Sequence, residues 1–182
     1  MSQAVTPVIQ GNLEVIDQCI SVLSSVNDSQ YIYVDPPNIT SAIGTHFRHI
    51  LDIYRALMEG VLSCQHYDSS EACVNYDRRR RGASCESQLS VARAELIALK
   101  RWLLGFSIEH CRSKVWIKTE VSIGHQESQK LASNVLRELV FASSHAVHHL
   151  AVVAMIARFQ GINVDALLGL APATANYLRE GA

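Results

Sequence analysis

Residues 133–159 constrain this chain more than any other stretch, because they read as one long buried helix that carries three histidines, His145, His148 and His149. At about 100° per residue, His145 and His149 point within about 40° of each other one turn apart, and His148 lies about 60° to the other side of His145. Two imidazoles can therefore reach one ion. Leu139, Ala142, Val152, Val153 and Ile156 continue that face apolarly. Histidines projecting into such a core need partners, since an unpaired imidazole is costly to desolvate.

Composition narrows the classes of function. The chain has 182 residues and is 48% hydrophobic, enough for one substantial core, and no low-complexity stretch divides it. A single domain over 1–182 is expected. A net charge of −1 argues against nucleic acid, whose phosphates call for clustered excess Lys and Arg. The first residues show no basic region followed by an apolar run, and no uncharged apolar segment is read as long enough to span a bilayer, so the expectation is a cytoplasmic protein with no membrane partner. Five cysteines (Cys19, Cys64, Cys73, Cys85, Cys111) form no C-x-x-C pair and suit reduced thiols.

Along the chain, Ile9, Leu13, Ile16, Ile20 and Leu23 recur at helical spacing, which predicts helix one over 8–26. Pro36 and Pro37 force a loop or extended segment, and Thr40 or Ser41 can cap helix two, over 41–64, which carries His46 and His49 one turn apart. Residues 66–84 are polar and include Arg78, Arg79, Arg80 and Arg81; they read as a solvated loop, although guanidinium forks also suit an anionic ligand. Helix three is expected over 86–111. Residues 114–123 alternate partially and contain β-branched side chains, which suggests an extended segment or short strand before the long fourth helix. Ser133 or Asn134 caps that helix and Gly161 ends it, leaving a tail with a short helix near 174–179. The fold class that follows is all-α: a four-helix bundle, with a loop or short extended segment between helices three and four.

A single histidine on an apolar face is usually a hydrogen-bonded core residue. Five on two helices are harder to explain that way, because an i, i+4 pair on one helix plus a histidine on another supplies three nitrogens, the number that leaves an open position on zinc or nickel. No H-E-x-x-H occurs, and no cysteine is close in sequence to these histidines, so neither a zincin nor a closed structural zinc site is indicated. Asp52 could orient a ligand, although an aspartate on a helix more often faces solvent; Glu138 could be a base or, more in keeping with its place, a charge at the helix start. Trp102 and Trp116 could meet a partner or lie within the protomer.

Residues 44–52 (Gly-Thr-His-Phe-Arg-His-Ile-Leu-Asp), 75–78 (Asn-Tyr-Asp-Arg) and 144–149 (Ser-His-Ala-Val-His-His) resemble the DinB-like (YfiT-like) superfamily of metal-dependent enzymes. The resemblance implies a four-helix bundle with zinc or nickel on one helix-two histidine and an H-x-x-x-H pair, which selects His49, His145 and His149 and leaves His46 and His148 as neighbours. It further implies thiol S-transferase or hydrolase chemistry on a small-molecule substrate, with a low-molecular-weight thiol as partner, and a homodimer. The alternative is a non-catalytic metal-binding or stress-response helical module.

Overall fold

The computed structural model describes residues 6–66, 73–106 and 113–181, without the side chains of 64–66. Among these residues the chain forms α1 (Pro7–Ser25), α2 (Asp28–Tyr31), α3 (Ile43–His66), β1 (Cys73–Asn75), α4 (Ser84–Ser87), α5 (Leu89–Leu104), β2 (Lys114–Glu120), β3 (Ser128–Asn134), α6 (Val135–Phe159) and α7 (Pro172–Arg179). The all-α four-helix bundle is therefore corrected. The helices share the molecule with a three-stranded mixed sheet of order β1-β2-β3, in which β1 runs parallel and β3 antiparallel to β2.

The physical reason lies in what each strand buries. On β2, Val115 and Ile117 are buried while Lys114, Trp116 and Lys118 alternate with them, which is the pattern the sequence suggested. β3 has no such alternation: Ser128-Gln129-Lys130-Leu131-Ala132-Ser133-Asn134 is almost wholly exposed, and backbone pairing from Lys114↔Asn134 to Glu120↔Ser128 holds it. β1 buries only Val74, packed against α3 at Gly60, where an added Cβ would come within 2.6 Å of a Val74 methyl carbon. Glycine thus lets strand and helix backbones approach.

Local chemistry sets the helix ends. Thr6 accepts from the Ile9 N–H at 3.3 Å with Pro7 in the first turn, and Asn27 and Gln30 close a capping box on α2. β3 passes straight into α6, whose cap is Asn134, accepting from the Arg137 N–H at 3.0 Å. Helix three is shorter than expected, ending at Leu104; the part assigned to 107–111, Cys111 included, lies outside the described residues, as do 1–5 and 67–72 of the N-terminus and the polar segment.

α6 packs against α1 and α3, burying Leu139, Ala142, Ala146, Leu150, Val153 and Ile156, while α1 and α3 also meet α5. By length and composition α6 is apolar enough to cross a membrane, with a mean hydropathy of 1.6, which corrects the expectation that no segment reaches that level. Trp102 meets Phe106 at 5.0 Å between ring centroids, and Trp116 lies beneath the Lys130 ammonium at 5.1 Å.

One buried charge ties the polar segment to α3. Asp52, 4% exposed, accepts from Arg48 Nη1 (3.3 Å), Arg80 Nε (2.7 Å) and the Arg80 N–H (3.1 Å), and the Arg80 fork also grips Glu95 at 3.1 and 2.9 Å. Asp52→Ala leaves two guanidinium groups without their shared carboxylate and should cost about 3–5 kcal/mol in a urea unfolding experiment. Glu59→Ala, which breaks the exposed Arg55–Glu59 pair, should cost at most about 0.5 kcal/mol. Equal losses in the two variants would contradict this account of the loop.

Candidate metal centre

Helical periodicity places His46 and His49 on the side of α3 that faces α6, and the two helices pack closely enough for their imidazoles to meet. Nε2 of His49 lies 2.8 Å from Nε2 of His145, and Nε2 of His149 lies 3.1 Å from the same atom. One ligand nitrogen from each of His49, His145 and His149 falls within 4.8 Å of the other two, so the three side chains are close enough to hold a metal ion.

The donor set fits such an ion. Two imidazole nitrogens on a tetrahedral zinc at about 2.0–2.1 Å stand about 3.3–3.4 Å apart, and on an octahedral ion about 2.9 Å apart. The separations of 2.8 and 3.1 Å lie within about 0.2 Å of the octahedral spacing and about 0.2–0.6 Å inside the tetrahedral one. Hydrogen bonding alone satisfies the cluster poorly. A single imidazole nitrogen carries either one proton or one lone pair, so His145 Nε2 cannot fully serve both nitrogens that face it.

The remaining histidines take different places. His46 Nδ1 lies 3.0 Å from His149 Nδ1, so its bond engages the far nitrogen of His149 and leaves Nε2 facing the cluster, the usual relation between a ligand and the group that orients it. His148 is exposed, its ring centroid 5.2 Å from that of His149. Phe141 stacks on His145 at 5.7 Å.

Neither carboxylate considered from the sequence reaches the cluster. Asp52 is buried rather than solvent-facing, but its oxygens serve Arg48 and Arg80 and no histidine. Glu138 is fully buried near the start of α6, where Tyr76 Oη (2.7 Å), Arg137 Nη1 (2.8 Å) and Ser133 Oγ donate to it. Asn134, one turn earlier, supplies the cap.

The polar segment, read from the sequence as a solvated loop whose guanidinium forks also suit an anionic ligand, reaches the histidines. Arg80 pins it, and Arg79 then reaches His49: its Nη1 contacts Nδ1 of that ring and lies 3.0 Å from Nε2. The four-arginine run was the available signal, but it does not say which arginine is anchored and which is delivered. His46, His49, His149, Arg48, Arg79 and Arg81 line a cleft of about 360 Å³, as do Asp77 and Glu120.

Burial, with the neighbouring histidines and arginines, favours the neutral forms of His46, His145 and His149. Burial first, then His148 and Arg79, lowers His145; burial, then His148 and Arg48, lowers His46; burial, then His145, His46, His148 and Arg79, lowers His149 to about 3. Neutral imidazoles are metal-binding imidazoles.

No family model matches the chain, and no solved structure matches it. The FK506-binding protein 5 of Rhizopus delemar is 25% identical to it over 107 residues, which is 59% of this chain and 28% of that protein. The chain therefore spans little more than a quarter of that relative's length, and the likeness carries no activity across.

The shifts also fix a pH dependence. Between the ordinary histidine value of 6.5 and the lowered folded values, the unfolded metal-free chain binds more protons than the folded one, so stability is complete above pH 6.5 and falls as pH drops toward 3. Urea midpoints of chelated protein measured from pH 7.5 to 4.5 should fall, and fall less steeply in His149→Gln. Parallel profiles for the two proteins would refute a neutral buried His149.

Proposed function

We propose that this protein is a metal-dependent enzyme of the DinB-like kind, holding zinc or nickel through His49, His145 and His149 and carrying out thiol S-transfer or hydrolysis on a small molecule. The observation that carries the reading is the convergence of three imidazole nitrogens from two helices, with His49 and His149 among the residues that line an open cleft. Three protein ligands suit a catalytic ion, which keeps a position for a further ligand; four suit a structural one. A divalent ion held there supplies Lewis acidity, lowering the pKa of a bound thiol or water so that no strong side-chain base is needed.

The chain's own groups have separable roles in this scheme. His46, bonded to Nδ1 of His149, fixes the ring and tautomer of that ligand. Leu139, Ala142 and Leu150 hold α6 against its neighbours, so that the histidine pair keeps its spacing. The resemblance of residues 44–52 and 144–149 to the DinB-like superfamily supports the same ligand choice.

A second reading, a non-catalytic metal-binding or stress-response module, draws on one observation. Asp52 and Glu138 are locked in hydrogen bonds, and neither is available to take a substrate proton.

Protein purified without chelator or affinity nickel should carry about one zinc or nickel per chain by elemental analysis. His49→Ala, His145→Ala and His149→Ala should abolish binding; His46→Ala should weaken it about 10–100-fold, as loss of an orienting partner does, and His148→Ala should leave it nearly unchanged. Retention of metal in His49→Ala with loss in His46→Ala would reverse the ligand assignment. Metal-loaded protein screened with electrophiles and small thiols should turn over; no turnover, together with a lower Tm on metal removal, would favour the module.

A further inference from the structure

Two arginines, Arg79 and Arg81, line the cleft that the histidine cluster opens onto. Arg48 and Arg80 are neutralised by Asp52, Glu86 and Glu95, and Arg78 lies beside Glu59. Arg79 and Arg81 are not ion-paired among the described residues, yet both line the cleft that holds His49 and His149. Of the acidic residues there, Asp77 turns its carboxylate to the backbone N–H of Glu120 (2.8 Å) and the Ser128 hydroxyl (3.4 Å), and Glu120 stands at the exposed end of β2.

Arg79, though solvent-exposed, extends from an anchored backbone to the histidine cluster. The backbone of Arg80, bonded to Asp52, fixes the residue next to it, and the Arg79 guanidinium extends to the very ring that faces His145. With a divalent ion on the three imidazoles, that guanidinium and the ion repel each other at close range in a partly desolvated site. An anion lying between them removes the repulsion and gains charge-assisted hydrogen bonds from the guanidinium fork.

We infer that the substrate of this site carries a carboxylate or phosphate, held by Arg79 and Arg81 while its reacting thiol or electrophilic group lies at the histidine cluster. The inference rests on the metal reading for its second half only; the arginine site exists with or without an ion. It makes Arg79 and Arg81 specificity-determining residues and assigns Arg80, between them, to anchoring the loop. Since Arg80 points to Asp52 and Glu95, changes at 79 and 81 leave that anchor in place.

Cobalt-loaded protein titrated with mercaptoacetate and with uncharged mercaptoethanol tests it through the visible cobalt spectrum, without reference to activity. Mercaptoacetate should bind at least about tenfold more tightly, the effect of one charge-assisted hydrogen bond. In the double variant R79A/R81A the preference should vanish while the cobalt spectrum and mercaptoethanol binding persist. A preference retained in that variant would mean simple chelation of the metal and would overturn the inference, as would equal affinities in the unaltered protein. If no cobalt spectrum develops, the metal reading fails, and inorganic phosphate added to metal-free protein decides the rest. Histidine ring resonances that shift in the unaltered protein and not in R79A/R81A uphold the arginine site; no shift in either overturns it.

Discussion

The arrangement depends on a carboxylate that could not be buried alone. Asp52 lies on α3 one turn from His49 and is almost completely removed from water, so it must collect donors. It does so from its own helix through Arg48 and from the polar segment through both the side chain and the backbone of Arg80. The pair with Arg80 is long-range in sequence, and it converts a stretch that would otherwise be solvated into a wall of the cleft. Buried ion pairs are weak evidence for stability, because desolvation offsets much of the Coulombic gain. Their effect here is positional: they choose which arginine is fixed and which is presented.

The histidine cluster shows the opposite solution to the same desolvation problem. The imidazoles of His145 and His149 shed their charge instead of finding carboxylates, since burial and the surrounding cations make the protonated forms unfavourable. Each neutral ring brings one N–H and one lone pair, and where the lone pairs of several rings converge an ion can take them all. Arg79 adds guanidinium donors beside the His49 ring.

The small sheet matters mainly through what it joins. β2 places Glu120 at the cleft, β1 leads into the arginine segment, and β3 feeds directly into α6, so that the strand end and the helix cap are the same residue, Asn134. Lys114-Val115-Trp116-Ile117 could be read as extended because its alternation reflects one buried face. β3 could not, because a strand held by backbone pairing on an exposed edge leaves no hydrophobic period. β1 was hidden for a different reason: three residues with one buried side chain are too few to show any period.

Helical periodicity in the chain was sufficient to locate the four long helices, to put His145 and His149 on one face of α6, and to place His46 and His49 on α3, because the spacing of apolar residues and the geometry of a helical turn are local properties. The same local rules allowed Asn134 as a cap, and α5 ends at Leu104 on Gly105, a stop the sequence carried. Which histidine of α3 meets which of α6, the bond between His46 and His149, and the delivery of Arg79 to His49 are facts of helix-on-helix register and of one long-range ion pair. These were settled only by tertiary structure. Residues 46 and 149, or 52 and 80, become neighbours through the packing of whole elements, and nothing in the local pattern around either partner encodes the other.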